Sequence, residues 1–263
     1  MPVHPTAIID SNAQVHESCE VGPYCVIGAG VVIGKDSRVG PHTVIEGPTT
    51  IGESNRISNH CSIGAPPQDL GYKGEPTKLV IGDRNFIGDY VQLSRGSNKT
   101  EHKTTTIGDD NFLMAYCHVG HDCEIGNRVI AANAVQLAGH VTVEDRVVFG
   151  GLVAIHQFAR VGKLAMISGG SVTSLDVPPF TKAFGYGCAV HGLNAVGLER
   201  AGIDRAAIKR LREAYKVLFR SGTPLEQVLA RLETEFSDSA EAQHWVKFFR
   251  ESKRGVVRDR DAK

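Results

Sequence analysis

Aliphatic residues recur every six positions along most of this chain. Val3, Ile9, Val15, Val21, Ile27, Ile33, Val39, Ile45, Ile51, Ile57 and Ile63 keep that spacing without a break. The period resumes at Ile107 and runs through Leu113, Val119, Ile125, Ala131, Leu137, Val143, Phe149 and Ile155 to Ile167. Six is neither the 3.6 of a helix nor the 2 of an ordinary strand. It predicts a hexapeptide β-helix, in which each short strand is one flat side of a coil. Three hexads close a triangular coil of about 18 residues, and coils stack as parallel strands about 4.8 Å apart. Glycine directly follows six of the aliphatic positions, at 22, 28, 34, 40, 52 and 64. The expectation is that it supplies the positive φ of a sharp corner.

The period fails at 65–78 and at 95–105, two polar segments read as loops leaving a corner. Loops inserted into a repeat scaffold are often functional. The segment SLDVPPF, 174–180, ends the repeat, and from about Ala201 the period becomes helical. Asp204 is the expected N-cap of a helix closed by Gly222. A second helix starts at Thr223-Pro224, and a third spans about 239–252. The tail after Arg254 is expected to fray. The predicted architecture is mainly β: a parallel β-helix domain over 1–190, then a small α-helical domain over 191–263.

Lys plus Arg and Asp plus Glu are equal at 29 each, which argues against a broad nucleic-acid surface. The N-terminus lacks the basic start and apolar run of a signal peptide. No apolar stretch reaches the roughly 18 residues of a membrane span. Cys19, Cys25, Cys61, Cys117 and Cys123 share one slot of the repeat with Val31, Val129, Val135 and Val141. They read as small buried hydrophobes in a reduced, cytoplasmic protein.

Residues 18 apart stack on successive coils. His121, Gly139 and Gln157 form one such column; Asp122, His140 and Phe158 form the next; His118 lies close by. Histidine is suited to proton transfer near neutral pH, and a bare glycine leaves its N–H open to an oxyanion. A zinc site built from these histidines is an alternative.

Six segments together carry a resemblance over nearly the whole chain: PPQDLGYKGEPTKLVIGDRNFI (66–87), DDNFLMAYCHVGHDCEIGN (109–127), NAVQLAGHV (133–141), AIHQF (154–158), DVPPF (176–180) and AYKVLFRSG (214–222). The chain resembles the acyl-carrier-protein–UDP-N-acetylglucosamine O-acyltransferases of lipid A synthesis. The resemblance implies a left-handed coil, a homotrimer with sites between subunits, and direct transfer of a (R)-3-hydroxyacyl chain from acyl carrier protein to the sugar 3-hydroxyl. It implies His121 as general base, Asp122 as its support and Gly139 as oxyanion donor. Asp69, His118, His140, His156, Gln157, Asn194 and Arg200 match substrate-contacting positions, and Gly169 matches a ruler for the acyl chain. No metal or diffusible cofactor is implied. Basic residues of the first long helix, Arg205, Lys209, Arg210, Arg212 and Lys216, are candidate contacts for the acidic carrier protein.

Four positions depart from the family pattern: Gly71 stands where Lys is usual, Ser94 where His is, Val196 where Glu is, and Ala201 where Arg is. Lys73 is a candidate replacement for the charge lost at 71. The departures leave open a 3-amine acceptor or a scaffold without activity. A sister N-acyltransferase acting on the 2-amine, and a zinc lyase of the γ-carbonic-anhydrase type, are the other readings.

Overall fold

The computed structural model describes residues 3–260. Its short strands assemble into three sheets of nine, eight and ten strands, and the chain visits each sheet in turn. Neighbouring strands are parallel and in register at the predicted offset, as in Val119 against Leu137 and Leu137 against Ile155. The aliphatic positions point inward. Ile27, Ile45, Ile63, Leu93, Ile87 and Phe149 are fully buried in one continuous core.

From Cys19 onward the slot four residues after the aliphatic position is also buried. Five cysteines fill it as small hydrophobes, and their thiols donate to backbone carbonyls of the following coil, as from Cys25 to Gly40 at 3.0 Å. Burial pushes the Cys61 thiol up to about 11. Asn55, Asn85 and Asn111 fill the same slot with a buried amide ladder. The Asn55 carbonyl oxygen accepts from the Asn85 backbone at 2.9 Å, and that of Asn85 from the Asn111 backbone at 2.9 Å. A polar group fits this slot because the next coil supplies its partner.

The corner glycines work differently from the expectation. Gly22, Gly28, Gly34, Gly40 and Gly52 do not have positive φ; among the six, only Gly64 does, at 73°. The left-handed residue lies two positions later and is usually not glycine: Tyr24, Asp36, His42, Ser54 and His60 all have φ near 55–58°. The glycines answer instead to stacking distance. A Cβ on Gly34 would lie 2.7 Å from the backbone of Gly52, and one on Gly40 would lie 2.7 Å from that of Ser58.

Both inserted loops leave the same corner. Each runs from the nine-stranded sheet to the eight-stranded sheet, between Ser62–Ala65 and Lys78–Ile81 and between Gln92–Ser94 and Thr104–Ile107. The coil ends in an antiparallel pair, Thr181–Phe184 with Ala189–Leu193.

Four helices follow. The short helix α1, Ala195–Arg200, is one that the periodicity did not indicate. The next, α2, covers Arg205–Arg220 with Asp204 accepting from the Ala207 N–H at 2.8 Å. Helix α3 is Leu225–Glu235, and α4 is Ala240–Arg250 with Ser239 as its cap. Trp245 of α4 is fully buried and donates to the Pro179 carbonyl at 2.8 Å, tying the helices to the end of the coil. None of the described helices is long and apolar enough to cross a membrane.

The segment after Arg254 does not fray over its described residues. Val256 pairs with Asp176, and Asp259 with Val190. Val257 is buried, and the Tyr215 hydroxyl donates to the buried Asp259 carboxylate. A charged tail is held because its buried valine, Val257, and its carboxylate, Asp259, both find partners inside.

The steric account of the glycines predicts a contrast. Gly34→Ala should lower the melting temperature, with a cost of about 1–3 kcal/mol for the clash. Gly28→Ala should be neutral or stabilising by up to about 1 kcal/mol, because its Cβ meets nothing nearer than 3.4 Å. Equal shifts in the two melting curves would reject the account.

Candidate active site

His121 and Asp122 occupy the corner from which both loops emerge, two and three residues beyond the strand His118–Val119. Stacking places His140 and Gly139 one coil on, and Phe158 and Gln157 on the next. The His140 N–H donates to the His121 carbonyl at 2.9 Å, and the Phe158 N–H to that of Gly139 at 3.1 Å. Asp122, His140 and Phe158 are the left-handed residues of their corners, with φ of 58°, 62° and 65°. That conformation projects three side chains in succession from one edge. The His140 ring stacks on Phe158 at 4.3 Å and meets His121 edge-on at 5.0 Å.

Asp122 is buried but fully bonded. Its Oδ1 accepts from the Ser97 N–H and the Thr100 hydroxyl, each at 2.9 Å, and its Oδ2 accepts from His121 Nδ1 at 2.8 Å. Its own N–H donates to Thr105 Oγ1 at 2.8 Å. Burial alone would raise the carboxyl above its usual range; the bonds from His121, Ser97 and Thr100 outweigh it and hold the group well below. Asp122 is therefore a carboxylate.

A carboxylate only accepts, so His121 Nδ1 carries the proton of that bond, and in the neutral ring the lone pair is on Nε2. The ring lies against Gly139, where a Cβ would sit 2.7 Å from Nε2. Only glycine fits there. The Gly139 N–H donates to no group among the described residues. Burial also holds His118 and His140 below the ordinary imidazole range, so both are neutral near pH 7. His118 Nδ1 is 3.1 Å from Gln92 Oε1. His156 is exposed and bonds the Gln157 carbonyl at 3.2 Å; Gln157 is exposed beside it.

The two loops fold over this corner toward each other. Asp69 forms an ion pair with Lys99 and accepts from the Gly71 N–H at 2.8 Å, and Asn98 donates to Glu75 at 2.6 Å. The Lys99 ammonium bonded to it holds the Asp69 carboxyl below its usual range. The Lys99 ammonium lies 3.9 Å from the place a Cβ on Gly71 would take. The cation beside the bare position 71 is therefore Lys99, not Lys73. Periodicity could not reveal Ser97, Lys99 or Thr100, because they sit in the segment that breaks it.

His121, Asp122 and His140 offer ligand atoms within 4.8 Å of one another, the spacing of a candidate cation site. The donor set fits poorly as it stands. Both Asp122 oxygens already have partners, Oδ1 the Ser97 N–H and the Thr100 hydroxyl and Oδ2 His121 Nδ1, so a cation would have to break into these bonds.

Residues 3–35 and 104–135 match the family of bacterial transferase hexapeptide repeats. Residues 176–257 match the family described as UDP-N-acetylglucosamine O-acyltransferase, domain 2. An acyl-carrier-protein–UDP-N-acetylglucosamine O-acyltransferase from Anaeromyxobacter dehalogenans is 49% identical over 258 residues, 98% of this chain and 100% of that one. This chain belongs to that O-acyltransferase family. Solved relatives agree with it in three dimensions. The UDP-N-acetylglucosamine acyltransferase of Francisella novicida has a TM-score of 0.95 at 35% identity, covering 98% of this chain and 95% of that one. The O-acyltransferase of Moraxella catarrhalis has a TM-score of 0.95 at 39% identity, covering 98% and 100%. The coil is the family's left-handed parallel β-helix, followed by its small helical domain.

Within this O-acyltransferase chain, three of the expected site residues lie away from His121. Asn194 and Arg200 line a cavity of about 530 Å³ against the ten-stranded sheet, with Arg128, Arg146 and Lys182. The Asn194 side chain caps α1, accepting from the Gly197 N–H at 3.1 Å and donating to the Leu164 carbonyl at 2.9 Å. Arg200 is exposed at that rim; Val196 and Ala201, two of the departures, line the same cavity. Ser94, a third departure, is buried, with its hydroxyl unbonded among the described residues.

Gly169 sits at a different corner, where the chain passes from the ten-stranded to the nine-stranded sheet. The left-handed residue there is Gly170, with φ of 71°, so the backbone does not require glycine at 169. On α2, Arg205, Lys209, Arg212 and Lys216 are exposed. Arg210 is engaged, bonded to Asp238 and Glu213 and lying over Phe236 at 4.1 Å. It leaves the set of candidate carrier-protein contacts.

Asp122→Asn should keep the shape of the corner and lower kcat by about 10²–10⁴, because an amide can present an N–H to Nδ1 and favour the wrong tautomer. The same variant alters the acid limb of stability. A carboxyl depressed by folding contributes stability that is full above its unfolded pKa, about 3.9, and is lost as pH falls below it. Asp122→Asn should flatten that loss in melting temperatures between about pH 5 and pH 2. An unchanged acid limb would place the charge elsewhere.

Proposed function

We propose that this chain transfers a (R)-3-hydroxyacyl group from acyl carrier protein to the 3-hydroxyl of UDP-N-acetylglucosamine, the first step of lipid A synthesis. One observation carries the reading: His121 has its Nδ1 proton fixed on Asp122 and its Nε2 against bare Gly139. His121 Nε2 takes the proton of the sugar hydroxyl as its oxygen attacks the thioester carbon. The carbonyl electrons move onto oxygen, where the Gly139 N–H is the candidate donor. As the intermediate collapses, the C–S bond breaks and the imidazolium returns its proton to the departing pantetheine thiolate. The balance needs no metal and no diffusible cofactor.

The separation of His121 from Arg200 and Gly169 within one chain favours a homotrimer. A closed ring of three copies sets one copy's His121 corner against a different face of its neighbour. That face can then supply the nucleotide contacts Asn194 and Arg200 and the ruler Gly169. His118, His140, His156, Gln157 and Asp69 line the acceptor and donor path in this reading.

Purified protein should turn over a 3-hydroxyacyl carrier-protein thioester with UDP-N-acetylglucosamine, also after exhaustive dialysis against a chelator. His121→Ala should lose a factor of about 10²–10⁴ in kcat with its melting unchanged. A variant retaining half of wild-type kcat would remove the general-base mechanism, and loss of turnover to the chelator would favour zinc.

Gly169 tests chain length. A Cβ there meets the Gly151 carbonyl oxygen at 3.0 Å and no other atom nearer than the Gly151 nitrogen at 3.5 Å, so a longer side chain can be accommodated with a small adjustment. A Met side chain would fill space otherwise open to terminal methylenes. Wild type should prefer donors of about twelve to fourteen carbons over ten, since each buried CH₂ contributes about 0.8 kcal/mol. Gly169→Met should invert that order in kcat/KM. Unchanged ratios in the two proteins would place the ruler elsewhere.

A further inference from the structure

The loop over 95–105 makes two sets of bonds that point in opposite directions. Inward, the Ser97 N–H and the Thr100 hydroxyl both bond Oδ1 of Asp122 at 2.9 Å. Outward, within the same four residues, Lys99 pairs with Asp69 and Asn98 donates to Glu75, both on the other loop. Thr100 is itself held, accepting from the Lys103 N–H at 3.0 Å. Oδ1 is thus occupied, which leaves Oδ2 for His121 Nδ1 and fixes both rotation of the carboxylate and orientation of the ring. Asp122 is almost fully buried, with its side chain 1% exposed, so no solvent replaces a lost loop donor at full strength. Lys99 is half-exposed, so its ion pair with Asp69 contributes little to folding on its own. Its effect is to set where two loops sit relative to each other.

We infer that residues 97–100 act as a clasp that couples Asp69 to the His121–Asp122 pair, with Thr100 and Lys99 as positioning residues. Acceptor that engages Asp69 then bears, through Lys99 and Thr100, on the carboxylate that orients the base. The inference rests on the acyltransfer reading above. Wild-type turnover tests that reading, and ratios between variants test the clasp.

A hydrogen bond to an ionised group is worth about tenfold to a hundredfold in an equilibrium constant, and a similar factor in rate is expected where the transition state needs the carboxylate held in place. Thr100→Val should lower kcat by at least about tenfold, while Thr100→Ser, which keeps the hydroxyl, should restore most of it. Lys99→Met should lower kcat as well as raise the acceptor KM, although its side chain need not touch the reacting atoms. In the double variant the combined loss in kcat/KM should fall short of the product of the single losses by at least about threefold, the mark of one coupled device. Losses that multiply, or a serine variant as slow as the valine one, would overturn the clasp. So would a Lys99→Met protein with raised acceptor KM and unchanged kcat, since that assigns Lys99 to ground-state binding alone. The Lys99 arm decides the matter even if Thr100→Val folds poorly.

Discussion

Everything in this molecule depends on the stacking of each residue over the one a coil before it. Parallel strands in register leave no freedom to slide, because a shift by one residue would turn the buried aliphatic row outward. The pairing of Val119 with Leu137 and of Leu137 with Ile155 therefore fixes where every corner residue goes. Close approach is the second half of the constraint. Corners of adjacent coils come so near that Gly34 and Gly40 have no room for a Cβ. The left-handed turn, by contrast, tolerates Asp, His, Tyr and Phe.

That tolerance is what the site exploits. A corner that accepted only glycine could not carry chemistry. Here Asp122, His140 and Phe158 occupy the left-handed position in three consecutive coils. Their backbone is fixed by coil-to-coil hydrogen bonds, so side chains reach their places without depending on a flexible loop. The loops complete what the coil starts. Together with His121, two donors from 97–100 hold Asp122 as a carboxylate, and the carboxylate places the proton of that bond on His121 Nδ1. Gly139 is bare for a local reason, since the imidazole occupies the volume a methyl would need.

The legibility of this in the sequence follows the same division. A strict period of six made the coil, its core and the column of His121 over Gly139 readable, because stacking turns sequence distance into spatial distance. The helices with amphipathic patterns were readable too, with Asp204 as the cap of α2. Three features were not. Helix α1 is short and its apolar stripe is one buried residue, Leu198, too little for a period. The tail over 255–260 looks charged and loose, yet Val257 and Asp259 anchor it through single residues rather than a pattern. Lys99 and Thr100 lie in an insertion, where no repeat says which coil they fold back upon.

The glycine reading shows how a right pattern can carry a wrong cause. Glycine does recur after the aliphatic residue, and a corner does follow, but the two are adjacent rather than identical. The difference matters at Gly169. Were corner glycines chosen for positive φ, Gly169 would be one more of them, and any side chain there would strain the backbone. The positive φ belongs to Gly170 instead. Across the coil, Gly150 has the backbone nitrogen of Gly169 at 2.3 Å from where its Cβ would be, so Gly150 is sterically forced. Gly169 is forced by neither conformation nor a severe clash. Gly169 is thus an exposed corner glycine that the fold does not require, and under the proposed ruler its bareness would set the depth of a bound chain.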